Sequence, residues 1–309
     1  MSEGTSELGK YIRTPEERFE DLPGFGYAPK YLDYRGLRIH YLDEGPKDGK
    51  PVLLLHGEPS WCYLYRKMIP AIVGAGHRAI APDLVGFGRS DKLLQRRDYS
   101  YQLQVDYIKW FIRELSLSDI SMFCQDWGGL VGLRVAAEEE ASFARVAIGN
   151  TALPGRVPDK GRFASIAPSA FFGFPVWLGF SQLAPVLPVG MILQFGTVTR
   201  LDKDVVAAYD APFPDRRYKA GARSYPALVF SQLKENSAAW EKLAKWEKPF
   251  LTLFSDKDVV LGGGDKVFQE VVPGAKGRPH RTVRGGGHFL QEDKGEELGE
   301  IMVEFMAEG

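Results

Sequence analysis

Three short stretches carry side chains whose chemistry could combine. The segment Cys124-Gln125-Asp126-Trp127-Gly128-Gly129 closes the apolar run DISMFC and opens GGLVGLRVAAEEE, so an aspartate stands where a strand turns into a helix. Small residues around such a turn keep it clear and push the central side chain into the open. With an ordinary pKa of about 3.9, that carboxylate is ionised at neutral pH. It can attack saturated, electrophilic carbon without a base, leaving an alkyl ester on the protein. Water must then cleave the ester, and only that half requires a base. Helix capping by Asp126 is the plain alternative, and the other two stretches argue against it.

The base candidate is His288, in Gly285-Gly286-Gly287-His288-Phe289, where glycines let the chain bring an imidazole close. Such a base needs a carboxylate to hold its tautomer. The segment FLTLFSDKDVVLGG offers Asp256 and Asp258. Asp258 is preferred because the loop needs a few residues past its strand to reach the histidine; Asp256 is second. The third stretch, His56-Gly57-Glu58-Pro59-Ser60-Trp61, follows PVLLL. The backbone N–H groups of Glu58 and Trp127 would form an oxyanion hole for the hydrolytic step. His40, His56, His77 and His280 read as structural or solvated.

These residues need a scaffold that gathers strand ends. Strand candidates are Leu37–Leu42, Val52–Leu55, Arg78–Pro82, Ile120–Cys124, Arg145–Gly149, Phe250–Phe254 and Arg281–Val283. Helix candidates include Tyr101–Leu115, Gly128–Glu140, Ala238–Trp246, Lys266–Val271 and Glu296–Met306. The alternation predicts an α/β fold with a mostly parallel sheet covered on both faces, with ligands beyond the carboxyl ends of the strands. The order nucleophile, acid, histidine is that of the α/β-hydrolase architecture. From Thr151 to about Pro226 the rhythm gives way to Pro, Gly and Phe, as in PSAFFGFPVWLGF. That span is too long for a connection and too apolar for a disordered linker. It is read as an inserted helical cap, residues 154–226, over a core of residues 1–153 and 227–309.

The bulk properties exclude several classes. The 309 residues include 39 basic and 40 acidic ones, a formal net charge of −1, so no global field draws in nucleic acid or an anionic membrane. Cys62 and Cys124 make no metal-ligand spacing. Cys124 reads as a buried thiol suited to a reducing cytoplasm. The polar N-terminal stretch is not a signal peptide, and no apolar run reaches the roughly 20 residues of a membrane span. The loop PDLVGFGRS lacks the full GxGxxG spacing, so phosphate binding is rejected. Neither a cofactor nor a metal is expected, and the protein is expected to act as a cytoplasmic monomer.

Taken together, HGEPSW, PDLVGFGRSDK, CQDWGG, SDKDVVLGG and GGGHFLQED resemble the haloalkane dehalogenases over nearly the whole chain, least in the cap. The resemblance implies that Asp126 displaces halide in line and that His288, oriented by Asp258, activates water. It also implies two indole N–H donors for the halide, which have no competing acceptor: Trp127, and Trp177 from the cap. Ionised Glu58 could not donate, which shifts that duty toward the cap. Phe171, Phe172 and Phe174 would line an apolar pocket for a small haloalkane. Asn150 follows the sixth strand, where some relatives place their acid, and being uncharged it strengthens the assignment to Asp258. An epoxide hydrolase shares most of these motifs but would need cap tyrosines, for which Tyr209, Tyr218 and Tyr225 are available. Fluoroacetate-type chemistry would want an Arg near the elbow. A noncatalytic binding relative would break the catalytic set, which is intact here.

Overall fold

The computed structural model describes residues 2–162, 164–166 and 170–308; the side chains of Phe171 and Phe172 lie outside the described ones. Its central sheet has eight strands among the described residues: β1 (Lys30–Tyr34), β2 (Leu37–Glu44), β3 (Pro51–Leu55), β4 (Arg78–Pro82), β5 (Ile120–Gln125), β6 (Phe143–Gly149), β7 (Phe250–Ser255) and β8 (Arg281–Val283). Their spatial order is β8-β7-β6-β5-β3-β4-β2-β1. The strands from β8 to β4 run parallel, while β2 and β1 add an antiparallel edge.

The central strands read as continuous apolar runs because helices cover both faces. Every residue of β5, ISMFCQ, is buried. Seven strands fall within two residues of their sequence-predicted limits. The edge strand β1, KYLDY, and an N-terminal hairpin of Ser2–Ser6 and Gly9–Arg13 have too little apolar alternation to announce themselves.

Ten α-helices flank or cap the sheet among the described residues. Those on the core are α1 (Ile69–Gly74), α2 (Tyr101–Glu114) and α3 (Trp127–Glu138), then, after four cap helices, α8 (Leu233–Leu243), α9 (Asp265–Val271) and α10 (Leu290–Ala307). The Ser100 hydroxyl caps α2 by accepting from the Leu103 N–H at 3.0 Å. Helix α8 begins five residues before its predicted start. Its first turns carry the buried amide Asn236, which donates to the Pro154 carbonyl and accepts from Arg134, and so breaks the apolar period. α10 begins earlier than predicted too, across a kink at Lys294. No helix among the described residues is long and apolar enough to cross a membrane.

The excursion between β6 and β7 holds α4 (Ala170–Leu183), α5 (Val189–Phe195), α6 (Lys203–Asp210) and α7 (Ala220–Leu228). Buried polar contacts fix part of it to the core. The Trp61 indole donates to the Ala208 carbonyl at 3.2 Å. The Tyr209 hydroxyl bonds Glu292, whose carboxylate also takes Arg66 Nη2 at 2.9 Å. Such paired, hydrogen-bonded charges tolerate burial where an isolated one would not.

Candidate active site

The turn from β5 into α3 is as tight as its sequence implies. Asp126 has φ 52° and ψ −125°, a conformation that costs a non-glycine residue on the order of 1–3 kcal/mol. A Cβ on Gly128 would lie 2.0 Å from the Leu55 carbonyl oxygen, and one on Gly129 would lie 2.1 Å from Thr151 Oγ1. Only glycine fits at either place. The Asp126 side chain does not cap α3. Its Oδ1 accepts from the Glu58 N–H at 2.7 Å, and its backbone carbonyl accepts from the Thr151 hydroxyl at 2.8 Å. The Trp127 N–H stands at the first helical position, where no intrahelical acceptor is available.

His288 Nε2 lies 3.5 Å from Asp126 Oδ2, and Nδ1 lies 3.0 Å from Asp258 Oδ2. The other Asp258 oxygen accepts from the N–H groups of Val260 at 2.7 Å and Leu261 at 3.1 Å. Burial works against the Asp258 carboxylate, but the His288 charge and these donors outweigh it and hold the group below its ordinary range. For His288, burial again opposes the charged form. Asp258 and then Asp126 override it, and the imidazole is pushed up to about 10. Asp256 is not in reach: its carboxylate accepts from the Gly285 N–H at 2.7 Å and pairs with Lys257.

Three residues that the sequence did not single out for this duty hold the histidine loop. The Asn150 amide donates to Ser255 Oγ at 2.8 Å and to the carbonyls of Gly287 at 2.8 Å and His288 at 3.0 Å. Ser255 Oγ donates to Gly287 as well. The Gln125 amide nitrogen lies 3.2 Å from His288 Nε2 and donates to the His288 carbonyl. The available signal was position alone, at the ends of three adjacent strands.

Asp126, Trp127 and His288 form the floor of a cavity of about 730 Å³ whose other walls are largely apolar. Trp177 lines it from α4, half-buried and stacked on Phe180, and Phe174 lines it against Phe230. Among the described residues no hydrogen bond engages the indole N–H of Trp127 or Trp177, whereas those of Trp61 and Trp240 are bonded to carbonyls. Glu58, 5% exposed, is on the same wall. Burial first, and the Asp126 charge second, hold its carboxyl well above the usual range. The turn thus places Glu58 in a setting that disfavours its charged form, beside the Asp126 anion.

A second polar cluster, His40, Cys62 and Asp83, has ligand atoms within 4.8 Å of one another. It does not suit a metal. The Asp83 carboxylate already accepts from the backbone N–H groups of Cys62 and Arg89, each at 2.8 Å, and contacts His40 Nδ1 at 2.7 Å. Burial also pushes the Cys62 thiol up, away from the thiolate a metal needs. The cluster braces the PDLVGFGRS loop.

Residues 50–294 match the family model for the alpha/beta hydrolase fold. The haloalkane dehalogenase of Psychrobacter cryohalolentis is 52% identical over 96% of this chain and 98% of its own. That of Mycolicibacterium paratuberculosis is 47% identical over 94% and 97%. The chain belongs to the haloalkane dehalogenases. It is a hydrolase acting on carbon–halide bonds, as the family is. The tetrameric haloalkane dehalogenase of Paraglaciecola agarilytica superposes with a TM-score of 0.83 at 34% identity, over 94% of this chain and 97% of that one. The epoxide hydrolase alternative is not favoured, and the cavity agrees with the family. Among the described residues no tyrosine lines this dehalogenase's cavity. Tyr209 is spent on Glu292, and Tyr225 is buried against Trp127 with ring centroids 4.6 Å apart.

Proposed function

We propose that Asp126 displaces halide from a small haloalkane by in-line attack, and that His288, oriented by Asp258, activates the water that hydrolyses the resulting ester. The products are an alcohol, halide and a proton. The observation that carries this reading is a carboxylate at a strained elbow, 3.5 Å from His288 Nε2, at the floor of an apolar cavity. Alkylation neutralises Asp126 and so removes one of the two anions that favour the charged imidazole. His288 then gives up its proton more readily, at the stage where a base is needed. The Glu58 and Trp127 N–H groups take the oxyanion formed when water attacks the ester carbonyl. The indoles of Trp127 and Trp177 hold the departing halide.

The division into a core of residues 1–153 and 227–309 and a cap of residues 154–226 belongs to the same proposal, although α7 runs two residues past that limit. All of these groups come from one chain. That supports a monomer as the working unit, whatever the tetramer of the Paraglaciecola relative does for that protein. A cytoplasmic setting, suited to the free, buried thiols of Cys62 and Cys124, belongs to the same proposal.

The experiment is halide release and acidification from 1-bromo-, 1-chloro- and dihaloalkanes, run beside styrene oxide and with Asp126→Asn as control. Halide release lost in the variant is the expected result. With His288→Phe, incubation should leave a mass increase equal to the alkyl group. An unmodified protein would overturn the two-step assignment.

A further inference from the structure

Glu58 contributes its backbone to the site, but its side chain has no assigned role and an unusual setting. It is 5% exposed, lies on the cavity wall beside Asp126, and its Oε1 is buried without a hydrogen-bond partner. Three titratable groups face it: Asp126 from the elbow, His288 from the loop after β8 and Tyr225 from α7. His56, on the same turn, is engaged with the Leu84 N–H and the Gly57 carbonyl. No Lys or Arg pairs with Glu58 among the described residues. The cavity's lysine, Lys257, is paired with Asp256 instead. A carboxylate here would be a second anion beside Asp126 in a poorly solvated space.

We propose that Glu58 serves the reaction as a neutral carboxylic acid, a hydrogen-bond donor into the halide end of the cavity, and that its ionisation expels the halide. The proposal rests on the dehalogenase reading above. In the neutral form the side chain carries an O–H donor at the cavity wall, and no second negative charge competes with the halide. In the ionised form the same side chain only accepts, and it repels halide across a short, weakly screened distance. Halide affinity should therefore have an alkaline limb that belongs to Glu58. Deprotonation of His288 adds a limb of its own, so the two must be separated.

The test is titration with bromide, read by quenching of tryptophan fluorescence from pH 6 to about 11, with folding followed by circular dichroism. It needs no substrate. In His288→Phe the alkaline limb should persist, with affinity falling on the order of 100-fold for a new unit charge in such a site. In Glu58→Gln/His288→Phe the limb should vanish. A second measurement uses the His288→Phe protein alone: on that limb, bromide binding should be accompanied by proton uptake from unbuffered solution. A limb unchanged by Glu58→Gln, or bromide binding without proton uptake across it, would overturn the role of Glu58 and leave the dehalogenase intact. Failure of the wild-type protein to bind bromide at any pH would overturn both.

Discussion

Asp258→Asn offers the sharpest division of the two half-reactions. The replacement keeps an oxygen for the Val260 and Leu261 N–H groups, so the loop retains its anchor. What it removes is a buried anion 3.0 Å from His288 Nδ1. Opposite unit charges at that distance, in an effective dielectric of about 20, attract by about 5.5 kcal/mol, or about four powers of ten in rate. That is an upper bound, because the imidazolium forms only partly in the transition state for water attack. A loss of roughly 10³- to 10⁴-fold in ester hydrolysis is expected, the range seen when a buried carboxylate behind a catalytic histidine is made an amide.

Alkylation draws on Asp126 and the halide donors, so it should slow far less. Rapid-quench sampling should therefore show a burst of about one halide per site, followed by a slow steady state. Intact mass should report the alkyl adduct accumulating. Asp256→Asn, at a half-exposed carboxylate that does not reach the histidine, should stay within a few-fold of wild type. A steady-state loss below about 10-fold in Asp258→Asn, with no adduct, would refute the orienting role. A lost burst in a folded protein would instead show that Asp258 also serves the first step.

Trp177→Phe deletes the indole donor proposed for the halide, and a hydrogen bond to a charged ligand is worth about 1.5–3 kcal/mol. Bromide affinity should fall about 10- to 100-fold in a fluorescence titration; an unchanged affinity would move the second donor to another cap residue. Asp83→Asn breaks a fully buried pair with His40 and should cost about 3–5 kcal/mol in urea unfolding at neutral pH. Burial opposes the Asp83 charge, but His40 and the Cys62 N–H bring it down to about 2. That contribution is present above the ordinary carboxylate range and is lost as pH falls toward 2. The variant should accordingly lose part of the acid limb of the stability profile, and an unaltered limb would refute the assignment.

Much of this was legible in residues alone because the informative ones sit at strand ends, where local patterns are strict. Gly128 and Gly129 admit no Cβ, so the elbow must be written in small residues. Asp258 could be preferred over Asp256 by reach alone. Groups that act through their surroundings were not legible. Asn150 holds the histidine loop only because β6, β7 and the turn after β8 converge, and no single segment shows that convergence. In the cap, Pro175 and the uniformly apolar run around it erase the helical period that marks α2. Trp177 could therefore be nominated but not placed. The raised carboxyl pKa of Glu58 lies furthest from the sequence, since it depends on burial beside Asp126 with no Lys or Arg paired to it among the described residues.

A neutral Glu58, as proposed, explains how one small space accommodates both stages of the reaction. Two carboxyl groups, of Asp126 and Glu58, and the His288 imidazole line the cavity, with Asp258 behind the imidazole. With Glu58 neutral, the Asp258–imidazolium pair cancels and the free site carries a single net negative charge, on Asp126. On the proposed mechanism, attack transfers that charge to the leaving halide as the ester forms, so the net charge does not change while the anion moves from a carboxylate to the indoles proposed to hold it. The polar surroundings need not reorganise around a new total charge, which is the condition under which fixed dipoles serve catalysis best. An ionised Glu58 would add a second negative charge at both stages, opposing the approach of Asp126 to its product state and the retention of halide alike. On this proposal the residue whose backbone N–H serves the oxyanion hole also sets, through the proton on its side-chain carboxyl, the charge that the rest of the site carries.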